Sequence, residues 1–287
     1  MPGKERAGSV RVLVRRREGS RASFAEDALV VEEPLEIRLR QGLSAEAARF
    51  VVTMRTPGHD EDLAAGLLFG EGVLESADDL LDVSRPDDPG IAPELARNVV
   101  LVTISARAGE GRPLRRGAMA VTSACGVCGD ISIERVGELA AAARRRRGEG
   151  ERGGPVVPAE LLAALPDELR RQQAIFRSTG GLHAAGLFAA DGSLVVCRED
   201  VGRHNATDKA IGATLRERRP VPPILLISGR LGFEIAQKAA LAGIRIVCAV
   251  SAPTSLAVAL AEETDMTLVG FLRGDRFNVY TGPERVS

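Results

Sequence analysis

The chain has no tryptophan, one tyrosine and eight phenylalanines among its 287 residues. Its core must therefore be built from Leu, Val, Ile and Ala, and the aromatic platforms on which single-stranded nucleic acid stacks are not expected. Lysine is nearly missing too: of 38 basic residues only Lys4, Lys209 and Lys238 are not arginine. That skew runs through the whole composition, so one isolated arginine carries little information. Neither sign of charge is in surplus, and a formal net charge of −1 argues against a general nucleic-acid binder, which carries a basic excess. No apolar run is long enough to span a bilayer, and Met1-Pro2-Gly3-Lys4-Glu5-Arg6 lacks the apolar stretch of a secretory signal. These absences predict a cytoplasmic protein that engages neither membrane nor nucleic acid. Four cysteines are too few for a disulfide framework in a chain of this size, and a reducing compartment keeps them as thiols.

What is present suffices for a full core, with 45% hydrophobic residues and a length near the boundary between one and two domains. The expectation is one compact body with a smaller appended domain. Residues 1–22, charged and containing Gly and Ser, read as a flexible arm that joins an edge strand at most. Residues 23–115 read as a small α+β domain. In it Leu35-Glu36-Ile37-Arg38-Leu39 alternates apolar and charged residues, and Phe50-Val51-Val52-Thr53-Met54 is β-rich, so both are strands. Thr56-Pro57-Gly58-His59-Asp60 is a turn, and residues 61–69 carry Leu63, Ala64, Leu67 and Leu68 at helical spacing. Residues 98–104 form a further strand, and residues 107–117, rich in Gly, Arg and Pro, divide this domain from the next.

Residues 116–287 read as the larger, α/β domain. An apolar stripe of Ile133, Val136, Leu139, Ala140 and Ala143 predicts a helix that begins near Asp130. Residues 144–155 are low in complexity and read as a solvated loop. The Asp191-Gly192 step signals a hairpin between residues 182–188 and 193–197, and a helix follows over 205–215. The last third alternates strand (224–227), helix (232–242), strand (244–250), helix (254–263) and strand (266–272), which implies a parallel sheet with right-handed crossovers. The carboxyl ends of such strands share one edge, where open α/β folds place their ligands. There stand Ser228-Gly229-Arg230, then Ser251-Ala252-Pro253-Thr254-Ser255, then Arg273-Gly274-Asp275-Arg276. Arginine forks and free N–H groups at helix N-termini suit phosphate or pyrophosphate, although Gly and Ser also mark ordinary βα turns.

The motif with the most chemical content is Cys125-Gly126-Val127-Cys128, placed at or just before a helix N-terminus. Two thiols at this spacing ligate a metal, exchange a disulfide or carry sulfur. Structural zinc needs two more ligands at workable spacing. Cys197 and Cys248 lie alone in apolar strand runs and read as inert core thiols, while His183 and His204 have no partner at zinc-ligand spacing. His59-Asp60-Glu61 spells the H-x-E of zinc nucleoside deaminases, but Ala124 stands where their P-C-x-x-C has proline. A helix N-terminus stabilises thiolate, which serves both disulfide exchange and sulfur carriage. The strand and aromatic context of a thioredoxin-like site is missing.

Many ordered blocks resemble the FdhD family, the formate dehydrogenase accessory sulfurtransferases. They are Glu33-Pro34-Leu35, Met54-Arg55-Thr56-Pro57-Gly58, Phe69-Gly70-Glu71-Gly72, the turn from Ser123 to Gly129, Ser178-Thr179-Gly180-Gly181-Leu182-His183, the run from Glu199 to Lys209, Ser228-Gly229-Arg230 and the run from Phe271 to Arg276. The resemblance implies a protein that takes sulfur from a cysteine desulfurase and delivers it to the molybdenum bis(molybdopterin guanine dinucleotide) cofactor of apo formate dehydrogenase. It places the persulfide intermediate on Cys125, with Cys128 as second thiol, and the cofactor-binding run on Phe271, Leu272, Arg273, Gly274, Asp275 and Arg276. It also implies a three-layer α/β fold like that of cytidine deaminases, without their zinc chemistry and with no metal bound by the protein itself. Arg230, Ser251 and His204 are expected beside the cofactor run. In the Glu199 to Lys209 block, Asp200, Arg203, His204 and Asp208 either line the site or act as caps and ion pairs that fix a turn. A bulky two-armed cofactor suits a homodimer with two such edges. Two readings from other classes stay open: a delivery chaperone without sulfur chemistry, and a zinc-dependent hydrolase.

Overall fold

The alternation at Leu35-Glu36-Ile37-Arg38-Leu39 becomes strand β3 (Glu33–Gln41), which buries Leu35, Ile37 and Leu39 on one face. The structure is a computed structural model that describes residues 8–86, 90, 92–108, 119–121, 138, 141–143 and 153–287. β3 forms an antiparallel hairpin with β4 (Ala48–Arg55) and runs parallel to β6 (Val99–Ile104). With β5 (Leu80–Ser84) and β7 (Met119–Val121) they make a five-stranded sheet in the order β5-β6-β3-β4-β7. β7 lies beyond the expected boundary at residue 115. Its parallel pairing with β4 carries the smaller half to at least Val121. The helix expected from Asp130 falls mostly outside the described residues, although Ala143 is buried in the core.

Ser9–Glu18, expected as part of an arm, form a strand. β1 (Ser9–Glu18) and β2 (Arg21–Val30) pair along their whole length as a two-stranded antiparallel ribbon. Val10, Val12 and Val14 alternate with Arg11 and Leu13, the period of a strand. The ribbon leaves Leu13 and Phe24 exposed, so its local pattern is not reinforced by a buried face.

Helix α1 (Asp60–Gly70) is buried at every residue but Glu61. It is enclosed because Leu35, Ile37, Val100 and Val102 of the five-stranded sheet meet it in the same core as Ala206, Ala210 and Ile211 of α5 (Arg203–Arg216). Gly66 and Gly212 permit the helix crossing. A Cβ on Gly66 would lie 1.9 Å from the Asp208 carbonyl oxygen, and one on Gly212 would lie 1.9 Å from that of Asp62. No side chain fits where two backbones approach so closely.

The second sheet has the order β13-β12-β11-β10-β8-β9. β10 (Ile224–Ile227), β11 (Ile246–Ala249) and β12 (Thr267–Arg273) are parallel, as the βαβαβ pattern requires. The hairpin of β8 (His183–Phe188) and β9 (Leu194–Asp200) joins antiparallel to β10, and β13 (Arg276–Thr281) adds antiparallel to β12. Side-chain alternation divides the strands between two cores. Leu225 and Ile227 face the side covered by α5, α6 (Phe233–Leu241) and α7 (Ser255–Glu263). Ile224 and Leu226 face Leu162, Leu165 and Leu169 of α3 (Ala159–Gln172). The larger half is thus a mixed α/β body with helices on both faces of its sheet. α3 interrupts its own helical signal with Pro166, which removes an internal hydrogen-bond donor. No described helix is long and apolar enough to cross a membrane.

Candidate functional site

Two short turns are locked together beside the carboxyl edge of the second sheet. Asp200, at the end of β9, is fully buried. Its carboxylate accepts the N–H groups of Thr56 at 3.2 Å and Gly202 at 2.9 Å, accepts Asn205 Nδ2 at 2.9 Å, and lies 2.7 Å from Lys209 Nζ. Lys209 also donates to the Thr56 carbonyl at 2.8 Å, and Thr56 Oγ1 accepts the Val201 N–H. The turn before α1 is therefore bound to the turn before α5. Arg55 holds the first turn from behind, with a bidentate pair to Asp60 (2.9 and 3.0 Å) and a bond to Asn98. Burial alone would raise the Asp60 carboxyl, but Arg55 and Arg85 outweigh it and hold the group below the usual range.

A second ionic centre ties α1 to the larger half. Asp62 accepts Arg198 Nε at 3.0 Å and Arg216 Nη1 at 2.6 Å, and faces His59 Nδ1 at 3.5 Å. Burial pushes its carboxyl up; His59, Arg216 and Arg198 together pull it down to about 2. Below the crossing, Asp208 pairs with Lys238 at 2.7 Å, both buried. Glu199 accepts the N–H groups of Ile175 and Phe176 at the start of the short helix α4 (Phe176–Thr179). The Glu199 to Lys209 block is thereby sorted: Glu199, Asp200, Asn205, Asp208 and Lys209 fix backbone and packing, while Arg203 and His204 occupy the first turn of α5.

At the sheet edge, His204 Nε2 lies 2.9 Å from Glu234 Oε2 on α6. That hydrogen bond is the main cause of a Glu234 carboxyl lowered from its ordinary range. The Ser228 hydroxyl accepts the Ala184 N–H at 2.9 Å and stands 3.4 Å from His183 Nδ1. Burial and the charges of Arg203 and His204 lower the His183 imidazole from its ordinary range, against Asp200. The turns that follow the parallel strands adjoin one another: Leu231 N–H donates to the Ala252 carbonyl, Phe271 N–H to the Ser251 carbonyl at 3.1 Å, and Arg273 Nε to the Val250 carbonyl at 3.3 Å.

The structure therefore brings Ser251 together with Phe271, and Val250 with Arg273, on the expected edge, and Gly229, the neighbour of Arg230, lies against Arg203 and His183. The run from Phe271 to Arg276 is a strand end and hairpin. Phe271 to Arg273 belong to β12, Gly274 and Asp275 form the two-residue turn, and Arg276 opens β13 opposite Arg273. A register shift after Gly270 coincides with Phe271 in the left-handed region (φ 55°), its ring partly exposed. Leu272 is fully buried against the α3 side of the sheet, so only its backbone faces the edge.

Cys125 and Cys128 lie outside the described residues. Cys197 and Cys248 lie in strands, and burial pushes both thiols up to about 12. Among the described residues no group of three or more His, Cys, Asp and Glu side chains could hold a metal ion. The H-x-E residues serve local pairs, His59 with Asp62 and Glu61 with Arg85. Glu234 and the Asp62 centre carry little signal in the sequence, because His204 of the one and Arg198 and Arg216 of the other are brought to them by tertiary packing.

Comparison with known proteins bears on the family and the fold. Residues 30–287 match the model of the FdhD/NarQ family. A protein of Mycolicibacterium paratuberculosis named sulfur carrier protein FdhD is 47% identical over 265 residues, covering 91% of this chain and 92% of that protein. One of the same name from Streptomyces coelicolor is 47% identical over 284 residues, covering 96% and 95%. A crystal structure from Desulfotalea psychrophila, described as a candidate formate dehydrogenase accessory protein, has the same fold with a TM-score of 0.69. It is 22% identical and covers 98% of this chain and 100% of that one. The ordered motifs, the two-sheet architecture and the near full-length match to curated relatives place this chain in the FdhD/NarQ family.

Proposed function

We propose that this chain is a sulfur carrier for formate dehydrogenase maturation, with Cys125 as the persulfide residue. The Cys125 thiolate attacks the outer sulfur of a cysteine desulfurase persulfide. A new S–S bond forms on Cys125, the donor S–S bond breaks, and the donor cysteine leaves as thiolate. The persulfide S–S bond then breaks with two electrons from a cellular thiol reductant, the outer sulfur passes as sulfide to molybdenum bis(molybdopterin guanine dinucleotide), the acceptor, and Cys125 returns to thiolate. Cys128 is the second thiol and assists release by exchange. The acceptor's nucleotide arms lie along the edge of the second sheet, at Arg230, Ser251, His204 and the run Phe271, Leu272, Arg273, Gly274, Asp275 and Arg276. The protein works in the cytoplasm as a homodimer on a fold of the cytidine-deaminase type.

The observation that carries this reading is a C-x-x-C in a chain whose near full-length relatives are named sulfur carrier proteins. The other two cysteines support it, since thiols pushed up to about 12 are poor nucleophiles at neutral pH. The test is intact-mass analysis after incubation with a cysteine desulfurase and cysteine. The wild type is expected to gain sulfur that reductant removes, and Cys125→Ala to gain none. A Cys125→Ala protein that still gains labile sulfur and still activates formate dehydrogenase overturns the assignment.

A further inference from the structure

A two-stranded ribbon with no third strand is marginal in water by itself, yet β1 and β2 pair over ten residues each, a span of about 33 Å. Its base is fixed. The Val31 N–H donates to the Gly8 carbonyl at 2.9 Å, Gly8 is buried where a Cβ would lie 2.9 Å from Ile175 Cδ1, and Val30 packs on Gly181, where a Cβ would lie 2.8 Å from Val30 Cγ2. Beyond the base, Leu13 is 71% and Phe24 73% exposed. The register pairs Leu13 with Glu26 and Arg15 with Phe24, so strand alternation places Arg11, Leu13, Arg15, Arg17 and Phe24 on one face. Arg15, Arg16, Arg17 and Arg21 are exposed, and none of them forms an ion pair among the described residues, where the ribbon's own pair is Arg11 with Glu26.

Charge selects among the occupants of this face. Residues 9–30 hold five arginines against three acids, so within a net charge of −1 the ribbon carries +2 and the rest of the chain −3. Ribbon against ribbon would set these guanidiniums on one another. The complement lies elsewhere on the same chain. Residues 71–82 hold five acids and no base, and they lead into β5, an edge strand of the five-stranded sheet. There a register shift leaves Leu81 48% exposed beside an exposed Asp82, and Glu75 and Asp78 are exposed as well. A cationic ribbon with apolar side chains between its arginines thus matches an acidic edge with an apolar side chain among its acids. The match to the family model starts at residue 30, so the ribbon stands apart from the segment that carries the shared motifs.

We propose that the β1–β2 ribbon of one copy docks on the acidic β5 edge of a second copy, with the contact repeated by two-fold symmetry. A ribbon face of about 33 Å by about 10 Å is on the order of 300 Å². Each copy gives both a ribbon and an edge, which brings the buried area to about 600 Å² per partner, the lower end for a specific interface. Leu13 and Phe24 are covered at the edge that holds Leu81, and the arginines meet Glu75, Asp78 and Asp82 without crowding one another. Charge steers the encounter and sets its register, while the apolar contact governs how slowly the copies part. The inference deepens the proposed function at one point, the homodimer, and rests on that reading; sulfur carriage does not enter it.

The experiment is sedimentation velocity of the full chain, one copy of which has a mass of 30.3 kDa. Wild type is expected to sediment as a dimer that weakens as salt rises. Phe24→Ser, Arg15→Glu/Arg17→Glu and Asp78→Arg/Asp82→Arg all change exposed side chains, and circular dichroism checks that each keeps the fold. Each is expected to weaken the dimer about tenfold or more. An equimolar mixture of the two charge-reversed proteins is expected to restore it, because each then offers the other a ribbon and an edge of opposite sign. A monomeric wild type overturns the docking and the homodimer together. A dimer that none of the variants weakens overturns the docking and leaves the homodimer standing, and so does a mixture that stays monomeric. Arginine reversal that spares the dimer but weakens binding to a purified cysteine desulfurase assigns the ribbon to the sulfur donor and overturns the second copy as its occupant. Sulfur loading is measured separately by intact mass. Wild type that dimerises through the ribbon but takes up no sulfur sinks the carrier reading and leaves the docking standing.

Discussion

Removing the Asp200 carboxylate isolates a buried charge. Lys209 is 1% exposed, and its ammonium lies 2.7 Å from Asp200; its other contacts are the carbonyls of Thr56 at 2.8 Å and Glu199 at 3.4 Å. Asp200→Ala leaves that ammonium facing carbonyls alone, and breaking a buried pair from one side costs about 3–5 kcal/mol. The N–H groups of Thr56 and Gly202 lose their acceptor as well, so the expected loss is at least about 3 kcal/mol by equilibrium urea unfolding. Asp200→Ala/Lys209→Met removes both charges and fills the lysine's channel with an apolar chain. The pair is expected to couple by about 1–3 kcal/mol, so that the double variant is more stable than the sum of the singles. An Asp200→Ala protein within about 1 kcal/mol of wild type, or a double variant that is simply additive, would refute the hub.

Two further outcomes follow from the titration of buried groups. Asp62 is held at about 2 in the folded chain against 3.8 for the free side chain, so its contribution to stability is complete above about pH 4 and lost as pH falls toward 2. The urea midpoint should drop across that window, and Asp62→Asn, already weakened, should drop less; equal slopes would remove Asp62 as the cause. Cys197 and Cys248, with thiols pushed up to about 12, should resist iodoacetamide at pH 8.5 in the folded protein and react once urea unfolds it. Mass spectrometry of the alkylated peptides reads this directly, and rapid labelling of either cysteine under native conditions would contradict the burial.

Elements with a buried face were legible in the sequence. β3, α1 and the βαβαβ alternation were expected to within two residues at each end, because strand and helix periods were imposed by the core they meet. The β1–β2 ribbon was not, since its alternating valines compete with arginines on both faces and no packed surface amplifies the pattern. α3 was hidden by Pro166, although Leu162, Leu165 and Leu169 keep helical spacing. The site was legible as residue types but not as roles. Asp200 and Arg203 stand three positions apart, yet one points into a hub and the other to the sheet edge. Partners such as Thr56 and Glu234 arrive only through folding.

The enclosure of α1 has a consequence for how the chain can be divided. A helix wrapped on one side by the five-stranded sheet and on the other by α5 is the middle layer of a continuous core, and Gly66 and Gly212 leave no room for solvent between its backbone and that of α5. Neither residues 23–115 nor residues 116–287 can be expressed without uncovering that seam. The two sheets should melt in one transition and be inherited as one unit, so truncation is a poor route to a minimal carrier. Any motion that opens the sheet edge has to come from the turns that rim it, because the close backbone contact at Gly66 and Gly212 beneath them resists sliding.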